Sequence, residues 1–189
     1  MKTFGQYIDE AIPHEAGHIL VGRVLGLHAR GLDVEVVRLP DGTGINVGNF
    51  ATLAHSPPDE QIPDMEPKLK AAYMLFVSAG VAGNKFAGFK TACQGADSDR
   101  KELARLTDKN LEEIGELAMQ IIRKHRRAFR QVVSLIRKRF TERVWNNLNV
   151  QTGRLNLVTQ EDLDRLFSEY TFARKEQENP STAPDSSPV

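Results

Sequence analysis

His14-Glu15-Ala16-Gly17-His18 sets two imidazoles four residues apart, with a carboxylate directly after the first. Four residues carry an α-helix one full turn plus about 40°, so both rings leave one face and can grip a single metal ion. Zn²⁺ takes imidazole nitrogens at about 2.0–2.1 Å. The Glu of such an HExxH helix serves as general base toward a water rather than as a ligand. With five His and 14 Glu among 189 residues, the pattern is expected by chance only ~0.01 times. The plainer alternative is a pair of polar histidines on a half-buried helix with Glu15 in solvent. Gly17 weighs against it, because glycine inside a helix costs about 1 kcal/mol relative to alanine and marks a close backbone approach.

A catalytic zinc keeps three protein ligands and leaves a fourth position open, so a third ligand is required downstream. His28, His55 and His125 fall in a helix exit, a proline-rich segment and a basic helix, none at a recognisable ligand spacing. The acidic group Asp97, Asp99 and Glu102 opens a helix and is the better source. Asp99 also reads as an N-cap with Glu102 completing a capping box, and the residues alone leave cap and ligand open. Cys93, a lone cysteine, reads as a small core residue. Asp33 and Asp41 read as turn residues.

Several elements must position these groups. Residues 4–27 have apolar positions at helical spacing, from Tyr7 and Ile8 to Val24 and Leu27, and end at Gly26. Pro13 interrupts that pattern, so the helix kinks there or a new one starts near His14. Residues 33–39 alternate and are β-branched, and the turn 40–44 leads into a second strand, 45–50, forming a hairpin. That second strand is a candidate edge for an extended substrate to pair with. Residues 55–67 hold four prolines and read as a loop. The helix 68–86 that follows is rich in Ala and Gly, which implies close helix–helix contact. A helix starts near Ser98 or Asp99, and two longer ones cover about 109–125 and 126–147. Their apolar stripes run through Leu111, Ile114, Leu117, Ala118, Ile121 and Ile122, and through Phe129, Val132, Val133, Ile136 and Phe140. Thr159, with Glu161 and Asp162 behind it, caps a short last helix reaching Tyr170. The polar, Pro- and Ser-rich segment 173–189 reads as a disordered tail, leaving 1–172 as one domain.

Lys and Arg number 25, as do Asp and Glu, for a net charge of zero. That balance argues against a dedicated binder of nucleic acid or acidic membrane. The basic run 123–139 is the exception, but its apolar positions keep helical spacing. Its cations are therefore expected on a solvated face, paired with the acidic 108–116 segment. A single Cys excludes an internal disulfide and any CxxC site, so a reduced cytoplasm is the default compartment. No run of 18 apolar residues occurs, and the start of the chain lacks a signal-peptide layout.

The residues quoted so far resemble the zinc peptidase domain of the FtsH-type ATP-dependent proteases. HEAGHILVGRVLG, VEVVRLPDGTG, LFVSAGVAGNKFAG, GADSDRKELARL and LVTQEDLDRLF occur in that family's order and span roughly residues 5–170. The resemblance implies an α+β, predominantly helical, zincin-like domain with a small hairpin or sheet beside the HEAGH helix and a C-terminal helical bundle. It also implies a Zn²⁺ cofactor held by His14, His18 and an Asp of a GAxxD segment, which falls on Asp99, with Asp97 the runner-up. Glu15 is then the catalytic base. The family's AGRxAE pattern is broken here, since Val81 and its neighbours supply neither the Arg nor the Glu. Pro13 replaces the residue that normally precedes the motif. No GxxxxGK[ST] segment is present, so an unfolding motor would either come from elsewhere, such as a separate ATPase or membrane partner, or not exist.

The implied function is a zinc metalloendopeptidase acting on unfolded or flexible polypeptide segments. Two alternatives are a non-catalytic module of the same fold that binds peptides or a regulatory partner and, third, a nucleic-acid accessory protein using 123–139. The family's hexameric state does not carry over, because its ring is built largely with the motor.

Overall fold

A computed structural model describes residues 4–27, 29–39, 45–53, 64–89, 95–107, 110–146, 151–170 and 172. His28, His55, Cys93, Asp41 with the turn 40–44, most of the proline-rich loop and the tail 173–189 lie outside the described residues. The described part is mostly helical, with six helices and one antiparallel sheet.

The motif helix α1, Phe4–Val24, is continuous through Pro13. Pro13 removes one backbone donor, yet no second helix begins at His14. Residues Glu10 to Gly22 are buried without a break, which is the mark of a central helix covered on every side. Its neighbours are α2 (Pro67–Phe86), α4 (Leu111–Lys124), α5 (Arg126–Phe140) and strand β2. Helix α2 begins with Pro67 in its first turn and Glu66 as cap, whose side chain accepts the Leu69 N–H at 3.0 Å.

Glycines set how closely α1 and α2 approach. A Cβ on Gly17 would overlap the Ala79 carbonyl oxygen, and one on Gly83 would overlap that of Pro13. The Gly17 of the motif and the small-residue pattern of α2 therefore answer each other across one interface.

Strands β1 (Gly31–Arg38), β2 (Ile45–Leu53) and β3 (Gly153–Val158) form a sheet of order β2-β1-β3. The expected hairpin is present, and β3 adds a strand from the stretch between the predicted helices, where the sequence pattern predicts no element. Leu32, Val34 and Val36 alternate inward along β1. A register shift pairs Val34 with Phe50 but Val36 with Val47, so β2 carries one extra residue between them. That bulge lets Val47 and Phe50 both face the core, although simple alternation would put them on opposite sides. Asp33 is not a turn residue: it is buried in β1, accepts Asn156 Nδ2 at 2.9 Å and pairs with Arg154, both on β3.

Helix α3 spans Gly95–Leu106, starting one turn before the expected position. On α4, Ile114, Ala118, Met119 and Ile122 are buried, while Leu111 and Leu117, expected in that stripe, are exposed. Helix α5 buries Phe129, Val132, Ile136 and Phe140 as expected, then gives way to a π-helical turn, Thr141–Trp145. Helix α6 (Gln160–Phe167) has the predicted Thr159 cap, a capping box closed by Asp162. Among the described residues, no helix is long and apolar enough to cross a membrane.

Candidate metal centre

Helices α1 and α3 bring His14, His18 and Asp99 together, the three candidate ligands named from the sequence. His14 Nε2 and His18 Nε2 are 3.2 Å apart, and Asp99 Oδ2 lies 3.2 Å from the first and 3.4 Å from the second. A tetrahedral ion about 2.0–2.1 Å from each donor would separate them by about 3.3–3.4 Å, so the triangle has the size of a zinc face. Asp99 Oδ2 is buried and meets no hydrogen-bond geometry, although both imidazoles stand within ion-pair distance of it.

The orientation of His18 supports the same use. Its Nδ1 lies 2.8 Å from the Phe76 carbonyl oxygen. A carbonyl only accepts, so Nδ1 carries a proton, and loss of the other ring proton would leave the Nε2 lone pair facing His14 and Asp99. The two imidazoles meet edge to face at 4.8 Å. Gly80 on α2 closes the cradle from behind: a Cβ there would overlap ring atoms of both histidines.

Burial alone would raise the Asp99 carboxyl, but the adjoining imidazoles of His18 and His14, in their protonated forms, outweigh it and hold that group well below the usual carboxylate range. For His18, burial works to lower the imidazole, and the Asp99 carboxylate overcomes it to give a net upward shift. Without an ion, then, the triangle favours a shared positive charge, which a divalent cation would supply. The three buried donors can hold a metal ion.

Asp99 lies inside α3 rather than at its start, so the capping-box reading fails. Its supposed partner Glu102 instead accepts from Tyr73 Oη at 3.3 Å and pairs with Arg105. Asp97 is exposed, pairs with Arg100 at 3.3 Å and is not part of the triangle. His125 stands at the α4–α5 junction against Phe172.

Glu15 is buried beside the triangle and is held by β2. The Thr52 backbone N–H donates to Glu15 Oε2 at 3.1 Å and the Thr52 hydroxyl at 2.6 Å. Both bonds fall on one oxygen, which leaves Oε1 for other chemistry. His14, Glu15, His18, Thr52, Tyr73 and Asp99 all face a cleft of about 330 Å³. A larger cavity of about 890 Å³ opens at the far end of α1 beside Arg23, Lys68 and Phe167. It contains none of these groups, so convergence of chemistry rather than size selects the site.

Thr52 and the Phe76 carbonyl were not among the residues named from the sequence. Thr52 had a signal, since strand alternation puts it on the same face as Phe50, two residues beyond the predicted strand end. The Phe76 oxygen is backbone, and only Gly80, one turn further along α2, hinted that something approached there. Comparison of the chain with protein-family models and with curated proteins finds no match.

Proposed function

We propose that this protein is a zinc-dependent metalloendopeptidase of zincin-like fold that hydrolyses peptide bonds in unfolded or flexible polypeptide segments. The observation that carries the reading is the triangle of His14, His18 and Asp99 donors at zinc spacing, with Glu15 beside it in the same cleft. The resemblance of the HEAGH, hairpin and GADSD segments to the FtsH-type peptidase domain supports the same reading.

His14, His18 and Asp99 would hold the ion, and zinc when bound supplies Lewis acidity toward a carbonyl oxygen and an attacking water. Glu15 Oε1 takes the proton of that water, and the same oxygen returns it to the departing amine. Thr52 holds Glu15 in place by donating twice to Oε2. Phe76 fixes the His18 tautomer through its carbonyl. Strand β2 is an edge of the sheet and carries Ala51 and Thr52 into the cleft. An extended substrate laid along that edge would bring its backbone to Glu15.

The test is metal content together with hydrolysis of a disordered protein such as casein, for wild type, His18→Ala and Glu15→Gln. The expected result is about one zinc per chain in wild type and Glu15→Gln, little in His18→Ala, and cleavage in wild type alone. Cleavage that persists in Glu15→Gln would remove Glu15 as the base. A zinc-loaded wild type that cleaves nothing would favour the non-catalytic peptide-binding module.

A further inference from the structure

Between Leu117 and Thr141 the chain holds eight Lys and Arg and no Asp or Glu. The structure divides these cations into two groups. Arg137 pairs with Asp9 at 3.1 Å, Lys138 with Glu142 at 3.8 Å, and Arg139 with Glu142 at 3.2 Å and Asp162 at 2.5 Å. Arg123, Lys124, Arg126, Arg127 and Arg130 are exposed, and among the described residues none has an acidic partner. Of the acidic segment 108–116 expected to pair with these cations, Asp108 lies outside the described residues, and Glu112, Glu113 and Glu116 form no ion pair with them, for a geometric reason. Glu116 is seven residues from Arg123, about 10 Å along the helix axis, whereas charges pair at three or four residues.

Arg123 and Lys124 sit in the last turn of α4, where cations suit the helix dipole, but the other half of the patch runs against local helix stability. Arg126 and Arg127 occupy the first turn of α5, which has no acidic residue and no side-chain cap. Cations there oppose the helix dipole by about 0.3–1 kcal/mol each. Local rules broken without compensation tend to mark function.

The chemistry of the patch narrows its partner. Four of its five cations are arginine, whose planar fork matches phosphate oxygens in pairs. Arg126 and Arg130 are four residues apart on α5, a rise of about 6 Å, and Arg123 and Lys124 stand across the junction at the end of α4. The apolar residues between them, Ile122, Ala128 and Phe129, are buried. The patch thus lacks the apolar face by which an interfacial helix enters a bilayer. A flexible acidic peptide would lose conformational freedom on docking, while a nucleic acid offers dense, fixed charge and gains entropy by releasing counterions.

We infer that the α4–α5 junction is a docking surface for the phosphate backbone of nucleic acid, bound without reading base sequence. It shares no residue with the metal triangle and stands independently of the peptidase reading.

The test is fluorescence anisotropy of a labelled 20-base-pair DNA duplex and a 20-nucleotide RNA, titrated with the full chain from about 50 to 200 mM salt. Each neutralised duplex phosphate contributes about −0.9 to the slope of log K against log salt. Five contacts therefore give a slope of about −4 to −5, a loss of roughly 10²–10³-fold across that range. The triple variant Arg126→Gln/Arg127→Gln/Arg130→Gln should bind at least tenfold more weakly, with a slope shallower by about 3. All three side chains are exposed, so its melting temperature and metal content should match wild type. Arg137→Gln/Lys138→Gln, from the paired group, should leave binding nearly unchanged. The inference is overturned if wild type fails to bind at low salt, or if the triple variant binds as wild type does. Vesicles rich in anionic lipid, or polyglutamate, competing as well as unlabelled duplex at equal charge would overturn it too.

Discussion

His18 Nδ1 donates to the Phe76 carbonyl oxygen at 2.8 Å, and this single bond decides that Nε2 of His18 faces Asp99 Oδ2, 3.4 Å away. A ring turned the other way would present a proton to its neighbours instead of a lone pair. The helix packing that brings Phe76 to α1 is therefore part of the candidate metal site, as much as the histidines themselves.

Asp99 and Asp97 are two residues apart on α3, yet they have different prospects as ligands. Asp99→Asn keeps the shape but removes the charge that balances a divalent ion. The expected outcome is a fall in zinc affinity of at least about 100-fold, since disturbing even outer partners of a metal site costs about 10–100-fold. Asp97→Asn should bind zinc as wild type does, because Asp97 is exposed and engaged with Arg100. Competition titration with a chromophoric chelator measures both. Equal losses in the two variants would mean that α3 contributes through its fold rather than through Asp99.

Two glycine substitutions should move stability in opposite directions. Gly115→Ala puts a methyl in α4 with only Ser78 Oγ nearby, at 3.7 Å, and the gain in helix propensity is about 0.5–1 kcal/mol. Gly80→Ala gains the same propensity, but its methyl collides with both imidazoles. Overpacking costs about 1–3 kcal/mol, so the net effect is a loss of stability together with weakened zinc binding. Urea melts of the metal-free proteins separate the packing effect from the loss of metal. A Gly80→Ala protein that melts later than wild type and holds zinc normally would contradict the cradle.

Thr52 reaches Glu15 with both its hydroxyl and its backbone N–H. Thr52→Val deletes only the first. A hydrogen bond to a charged group is worth about 1.5–3 kcal/mol, so on the peptidase reading kcat should fall about 10–100-fold. Zinc content and KM should change little, and Thr52→Ser should restore most of the rate. A uniform rise in KM at unchanged kcat would place Thr52 in substrate binding instead.

How much of this was legible in the sequence depends on the range of each interaction. The HEAGH spacing is local, and so is the geometry it dictates, which is why His14, His18 and Glu15 could be named from five residues. The Thr159 cap was readable for the same reason. Asp99 was not decidable from its surroundings, because an acid near a helix start is consistent with both a cap and a ligand. The choice depends on α1, some 80 residues away in the chain. Strand β3 was hidden because GRLNLV is short and sits between helical stretches, and only pairing with β1 makes it a strand. That pairing also buries Asp33, so missing the strand meant misreading the residue. Leu111 and Leu117 fit a helical stripe by period, yet the side of α4 they occupy leaves them exposed among the described residues.

Acid should loosen the C-terminal part of the fold through one carboxylate. Burial would raise the Asp162 pKa, but hydrogen bonds from Arg139 and the Thr159 N–H, with the Arg139 charge, outweigh it and hold it below its ordinary value. Arg139 is itself shifted upward, mainly by its hydrogen bond to Asp162, and stays charged throughout. At this site the folded protein consequently binds fewer protons than the unfolded chain once pH drops toward about 4. The contribution is complete above that pH and is lost as pH falls through the lowered folded-state value. Asp162→Asn should cost roughly 1–3 kcal/mol at neutral pH, from the cap and the charged hydrogen bonds together. It should also flatten the decline of stability on the acid side. Asp164→Asn, which breaks the half-exposed pair with Arg23, should change stability by no more than about 1 kcal/mol. Denaturant melts between pH 7 and pH 3 provide the comparison, and an acid decline as steep in Asp162→Asn as in wild type would show that another carboxylate governs it.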